Sequence, residues 1–221
     1  MKSLITLVVG IAMGAALAWA LAIPKVRARA ATNEARFSQL AMDQLNDQQR
    51  PLGEQIMKVS SIGLGGPYNL MLRSPVMGER FFMMLDYLRF NTSVPRRLNE
   101  LAILIQARLW TSQVEWRAHY PLALKAGLSQ AVADELAQGK RPTSMKPDEA
   151  VVYDLCMELS TRQELSDATF QRVRAIFSDQ QIVDLVALSG TYVTAAMLMK
   201  AAADEGTPNG KVALLQPLPV H

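Results

Sequence analysis

From Ser74 onward, apolar residues return every three or four positions and keep that rhythm almost to the end of the chain. The segments PVMGERFFMMLDYLRF, PRRLNELAILIQARLW, SQVEWRAHYPLALKAG, SQAVADELAQG, PDEAVVYDLCMELSTRQ, SDATFQRVRAIF and DQQIVDLVALSGTYVTAAMLMKAAA each carry it, and each therefore predicts an amphipathic or buried helix. No alternating strand pattern competes with them. The breaks have residues suited to them: Pro95 for a first turn, Gly127 and Gly139 for helix C-termini, and Pro147 followed by Asp148 and Glu149, which set negative charge at the positive end of a helix dipole. The connections are short, so consecutive helices become antiparallel neighbours and the expected fold is all-α, a compact helical bundle.

The pattern changes at both ends. MKSLITLVVGIAMGAALAWALAIPKVRARA has an apolar run from Leu4 to Ile23 behind Lys2, with Pro24 as a stop. Residues 1–30 read as a signal peptide or membrane anchor. ALA at Ala20–Ala22 and ARA at Ala28–Ala30 offer small residues at signal-peptidase spacing, which points to a periplasmic or secreted protein. The alternative is an uncleaved helix attaching the protein to a membrane through residues 4–23, although the basic flank of Lys25, Arg27 and Arg29 complicates that orientation. Residues 31–65 are polar and read as a linker with some helix, 66–205 as the helical domain, and 206–221 as an extended or partner-docked tail.

Composition narrows the chemistry. The chain has 221 residues, a net charge of +3 and half its residues apolar, which suits one domain with a core plus an extension. Charges of both signs are mixed along it, so nucleic-acid binding has no support. Cys156 is the single cysteine, which removes an intrachain disulfide, a CxxC pair and a cysteine-built zinc site. No metal or cofactor is expected.

The candidate site lies in the middle of the domain. In PRRLNELAILIQARL one face carries Leu98, Leu101, Ile105 and Leu109, with Glu100 at the edge of that stripe. In TSQVEWRAHY, Ser112 and Glu115 stand three apart and fit a capping box at a helix start. Trp116 and His119 follow from nearly the same side. His119 is the only imidazole before the last residue, and spacing alone reads it as a hydrogen-bonded core histidine.

The region from Gly66 to about Ala202 resembles the carboxymuconolactone decarboxylase and alkylhydroperoxidase D-like superfamily, through GPYNLMLRSP, RRLNELAILIQAR, VEWRAHYPLALKAGLS and IVDLVALSGTYVTAAMLMKA. The alkylhydroperoxidase branch places a glutamate, two cysteines and a histidine at a spacing that here falls on Glu100, Ser112, Glu115 and His119. Both thiols are therefore missing, and thiol peroxidase chemistry, which needs an attacking and a resolving sulfur, is disfavoured. Cys156 does not replace them, since YDLCMELS reads as core. The resemblance then implies a cofactor-free acid–base enzyme acting on a small organic acid or lactone. His119 is its acid/base, Glu100 or Glu115 its partner, and Arg108 or Arg117 its holder of a carboxylate. Tyr68 and Asn69 are expected at a pocket mouth, and Ser112 and Trp116 near the substrate. Trp116 reads equally as a core residue. A non-catalytic exported module of the same fold is the alternative. The resemblance also implies a homo-oligomer, a trimer or a multiple of one, with Phe81, Phe82, Met83, Met84, Trp110, Met197 and Met199 supplying apolar area for it.

Overall fold

A computed structural model describes residues 35–60, 62–206 and 210–218. The segment expected as a signal or anchor lies outside these residues. Among the described residues there are helices and no strand. In chain order they are α1 (Arg50–Val59), α2 (Pro67–Met71), α3 (Pro75–Asp86), α4 (Arg96–Leu109), α5 (Gln113–Lys125), α6 (Gln130–Ala137), α7 (Pro147–Met157), α8 (Asp167–Arg174) and α9 (Asp179–Ala202). Two π-helical turns, Tyr87–Asn91 after α3 and Glu158–Arg162 after α7, were not legible in the periodicity.

Helix α4 is the centre. It packs against α5, α7 and α9, and every residue from Leu98 to Arg108 is buried. Being enclosed, it satisfies most of its polar side chains through other elements, although the Asn99 Oδ1 and two Arg108 nitrogens stay unpaired. Asn99 donates to the Leu88 carbonyl at 3.0 Å, and Gln106 donates to the hydroxyls of Ser189 at 2.5 Å and Ser160 at 2.9 Å. Helix α9 is long and apolar enough to cross a membrane, yet it lies in the core: Leu185, Leu188, Tyr192, Ala195, Ala196 and Met199 are buried. Ser129, Ser166 and Ser178 cap α6, α8 and α9 by accepting from backbone amides.

Both flanks of the domain are fastened to it. Residues 31–65 are expected as a linker with some helix; α1 lies there, and Leu45, Leu52 and Ile56 join the core, while both polar groups of the Asn69 amide bond the backbone of Leu40, at 3.1 and 3.0 Å. At the other end, the Gln113 amide bonds both backbone groups of Leu215, at 2.8 and 3.0 Å, and Arg108 donates to the Gln216 carbonyl at 2.7 Å. The tail is thus extended, and its partner is its own domain. Gly139 permits this approach: its φ is +74°, and a Cβ there would stand 2.5 Å from the Leu218 side chain.

Of the side chains expected at a subunit contact, Phe81, Phe82 and Met199 are buried within the chain, whereas Met83, Met84 and Met197 are exposed.

Candidate functional site

Five helices, α1, α2, α3, α5 and α9, and one π turn contribute walls to a cavity of about 330 Å³. Helix α2 brings Tyr68, α5 brings Glu115 and His119, α9 brings Tyr192, and the turn after α3 brings Arg89. The remaining wall is largely apolar, with Val59, Leu85, Val114, Ala118, Leu122 and Ala195. Few polar groups converging in an apolar cavity is the usual make-up of a small-molecule site.

His119 is fixed from both sides. Its Nδ1 lies 2.7 Å from Glu100 Oε2, and its Nε2 lies 3.1 Å from the Tyr192 hydroxyl, whose ring meets the imidazole edge-on at 5.0 Å. Burial alone would raise the Glu100 carboxyl, but the His119 hydrogen bond and the Arg96 and Arg89 charges outweigh it and hold the group below its ordinary range. Glu100 is therefore ionised, so Nδ1–H donates to it. Burial lowers the imidazole below its ordinary value despite Glu100, which leaves Nε2 as the acceptor of the Tyr192 O–H. Burial also raises the Tyr192 phenol, keeping that proton in place.

Glu115 has a different fate. It was expected to reach back and close a capping box with Ser112. The box does not form, because the Ser112 N–H is already donated to the Ala107 carbonyl at 2.8 Å, across a tight turn in which Thr111 takes φ 47°. Neither Glu115 oxygen nor the Ser112 hydroxyl has a hydrogen-bond partner of normal geometry, and both residues are buried. Burial pushes the Glu115 carboxyl up to about 8, against smaller lowering effects of the nearby Ser112 hydroxyl and the Lys200 charge. It is a neutral acid at physiological pH.

The arginines also exchange places. Arg108 was expected on a substrate carboxylate; it is buried against the C-terminal tail. Arg117 is tied to the Glu205 carbonyl and lies beside another cavity, with Gly66 and Gly206. The guanidinium that reaches the His119 cavity is Arg89, which donates to the Tyr68 hydroxyl at 3.4 Å and whose buried Nε has no partner. Burial disfavours its charge, but Tyr192, Tyr68 and Glu100 outweigh that and keep it a cation. Asn69 is not at the cavity; its amide is spent on Leu40. Trp116 is a core residue at 1 % exposure, stacked obliquely on Tyr120 at 5.7 Å.

Sequence reasoning missed Arg89 and Tyr192. Tyr192 had a signal, since it follows Leu185 and Leu188 on the buried face of α9 and a buried phenol needs a partner. Arg89 had little, because the π turn shifts its direction from that of an α-helical continuation. Among the described residues, no three His, Cys, Asp or Glu side chains gather as a metal site.

A crystal structure described as the alkylhydroperoxidase AhpD core, an uncharacterized peroxidase-related protein from Ralstonia eutropha JMP134, superposes with a TM-score of 0.64 at 15% identity, covering 76% of this chain and 89% of that one. The two chains share their fold. The crystal structure of an uncharacterized peroxidase-related protein from Silicibacter sp. TM1040 superposes with a TM-score of 0.61 at 16% identity over 76% of this chain and 90% of that one. No protein-family model matches the sequence, and neither does any curated protein. Within this AhpD-like fold the one thiol, Cys156, is buried in α7 with its pKa pushed up to about 12 by burial, partly offset by Ser189.

Proposed function

We propose that the protein is a cofactor-free acid–base enzyme acting on a small organic acid or lactone. The observation that carries this reading is the pairing, in one cavity, of a neutral imidazole backed by a carboxylate and a separate protonated carboxyl, Glu115. Two titratable groups pushed to opposite roles by their surroundings are the ordinary sign of acid–base assignment. In this scheme a C–H proton next to a carbonyl passes to His119 Nε2, directly or through the Tyr192 hydroxyl. The bonding pair stays on the substrate as an enolate, Glu100 stabilises the imidazolium, and Glu115 donates a hydrogen bond to the oxygen where charge builds. The proton then returns, to the same carbon or to a neighbouring one, so no oxidant or reductant is needed. A thiol peroxidase is opposed by a sole cysteine that is buried and held protonated.

The test is proton exchange in D2O. A panel of small lactones, β-keto acids and unsaturated carboxylates, followed by NMR, is expected to contain at least one compound whose carbon-bound hydrogen exchanges. His119→Asn should abolish that exchange; retention of the rate in the variant refutes the assignment. Assembly as a homo-oligomer through the exposed methionines Met83, Met84 and Met197 is a further part of this proposal, and light scattering decides it.

A further inference from the structure

Among the described residues, Arg89 is the one lysine or arginine that lines the cavity, and no carboxylate hydrogen-bonds it. Arg96 is paired with Glu100 at 2.8 Å, and Lys200, which is not a lining residue, is held by the Thr111 carbonyl at 3.0 Å and by Glu205 at 2.8 Å. Arg89, by contrast, makes one weak hydrogen bond to Tyr68, lies over the Phe90 ring 4.7 Å from its centroid, and keeps a buried Nε without a hydrogen-bond partner. Glu115, on the same cavity, keeps both oxygens without one. Orphaned buried polar groups carry a desolvation cost that a ligand would recover. One lone guanidinium and one lone carboxyl, set among apolar walls, together match a single charged oxygen pair attached to a hydrocarbon body.

We propose that the cavity binds a small monocarboxylate with an apolar body, its carboxylate held between the Arg89 guanidinium and the Glu115 carboxyl. This deepens the acid–base reading and rests on it. A dicarboxylate is rejected, because no second lysine or arginine lines the cavity among the described residues. A neutral amide is rejected too, because the one carboxylate acting on Arg89, Glu100, is hydrogen-bonded to His119 and Arg96 and leaves the buried guanidinium only partly compensated. Glu115 must carry its proton to accept an anion beside it, so binding takes up a proton once the free protein has begun to lose it. The groups that face Glu115 or share its cavity are Ser112, Lys200, Tyr192, Tyr68, Arg89 and His119. Of these, Lys200 favours the ionised form of Glu115, and burial opposes it more strongly.

The experiment is calorimetric titration of the full chain with benzoate, benzamide and terephthalate. Benzoate is expected to bind, with benzamide and terephthalate about tenfold weaker or worse. Arg89→Gln should weaken benzoate by about tenfold or more. From pH 7 to 9.5 benzoate affinity should fall by about tenfold or more in the wild type and by less than about threefold in Glu115→Gln. At pH 8, titrations in phosphate and in Tris should differ by the heat of proton uptake, a measurement on the wild type that decides the matter even where the Glu115 variant does not fold. Benzamide binding as well as benzoate, an unaffected Arg89→Gln, absent proton uptake or no benzoate binding at about 10 mM each overturns the proposal. Deuterium exchange that persists without benzoate binding refutes this ligand and leaves the acid–base reading standing; benzoate binding without any exchange does the reverse.

Discussion

Glu100 on α4 and Glu115 on α5 are both almost wholly buried, at 1 % and 3 % exposure, and both act on the phenol of Tyr192. They nevertheless end in opposite states. Glu100 is answered by His119 at 2.7 Å and Arg96 at 2.8 Å and is held ionised, whereas Glu115 has only the weaker effects of the Ser112 hydroxyl and the Lys200 charge and is raised to about 8. Burial does not by itself set the charge of a carboxyl. What sets it is whether charge-assisted hydrogen bonds recover the desolvation cost, and two carboxyls in one fold can be divided between base support and acid by that criterion alone.

The strongest way to break this comparison is to remove the satisfied member. Glu100→Ala leaves His119 and Arg96 without their partner and is expected to destabilise the domain by about 3–5 kcal/mol in urea unfolding. A loss under about 1 kcal/mol would show that Glu100 is not carrying a buried pair.

The unsatisfied member makes a prediction with a sign. Glu115 is raised in the folded state from 4.5 to about 8, so the unfolded chain loses this proton first and stability falls as pH rises through that window. Below about pH 4.5 both states are protonated and nothing is lost. Glu115→Gln should therefore match the wild type near pH 5 and exceed it by about 2–4 kcal/mol near pH 9. An equal difference at both pH values would mean that the carboxyl is not the titrating group.

A finer probe lies on the other side of His119. Tyr192→Phe removes the O–H that donates to Nε2, costs about 1 kcal/mol, and raises the imidazole's protonation midpoint, because that hydrogen bond favours the neutral ring. An NMR titration of His119 that moves downward instead would reverse the assigned tautomer. Smallest of all is Ser112→Ala, whose hydroxyl makes no cap bond: less than about 0.5 kcal/mol is expected, against about 1 kcal/mol for Ser178→Ala, which removes a hydroxyl that accepts from the Gln181 amide. Equal losses in the two variants would restore a capping role to Ser112.

Much of the helical layout was present in the sequence. Apolar spacing placed α3 to α9, Pro147 opened α7 and Gly139 followed α6, because those signals act within a few residues and depend on backbone geometry alone. The pairing of Glu100 with His119 also followed from residues in the sequence, though only with a family resemblance to single them out. The capping box at Ser112 and Glu115 failed for a local reason that spacing cannot express, since the amide it needed had been taken by Ala107.

The remaining decisions belonged to tertiary structure. Arg89, Arg108 and Arg117 are alike as letters; one faces the cavity because a π turn redirects it, and the other two are fastened to the C-terminal segment by the carbonyls of Gln216 and Glu205. Asn69 left the site for the same kind of reason, since its amide is spent on Leu40, 29 residues away, while Trp116 is buried in the core beside Tyr120. Helix periodicity is a property of neighbours a turn apart, so the sequence determined which segments coil and which faces are buried. Which buried polar group obtains a partner depends on helices brought together from distant parts of the chain, and that assembly alone left Glu115 neutral and Glu100 charged.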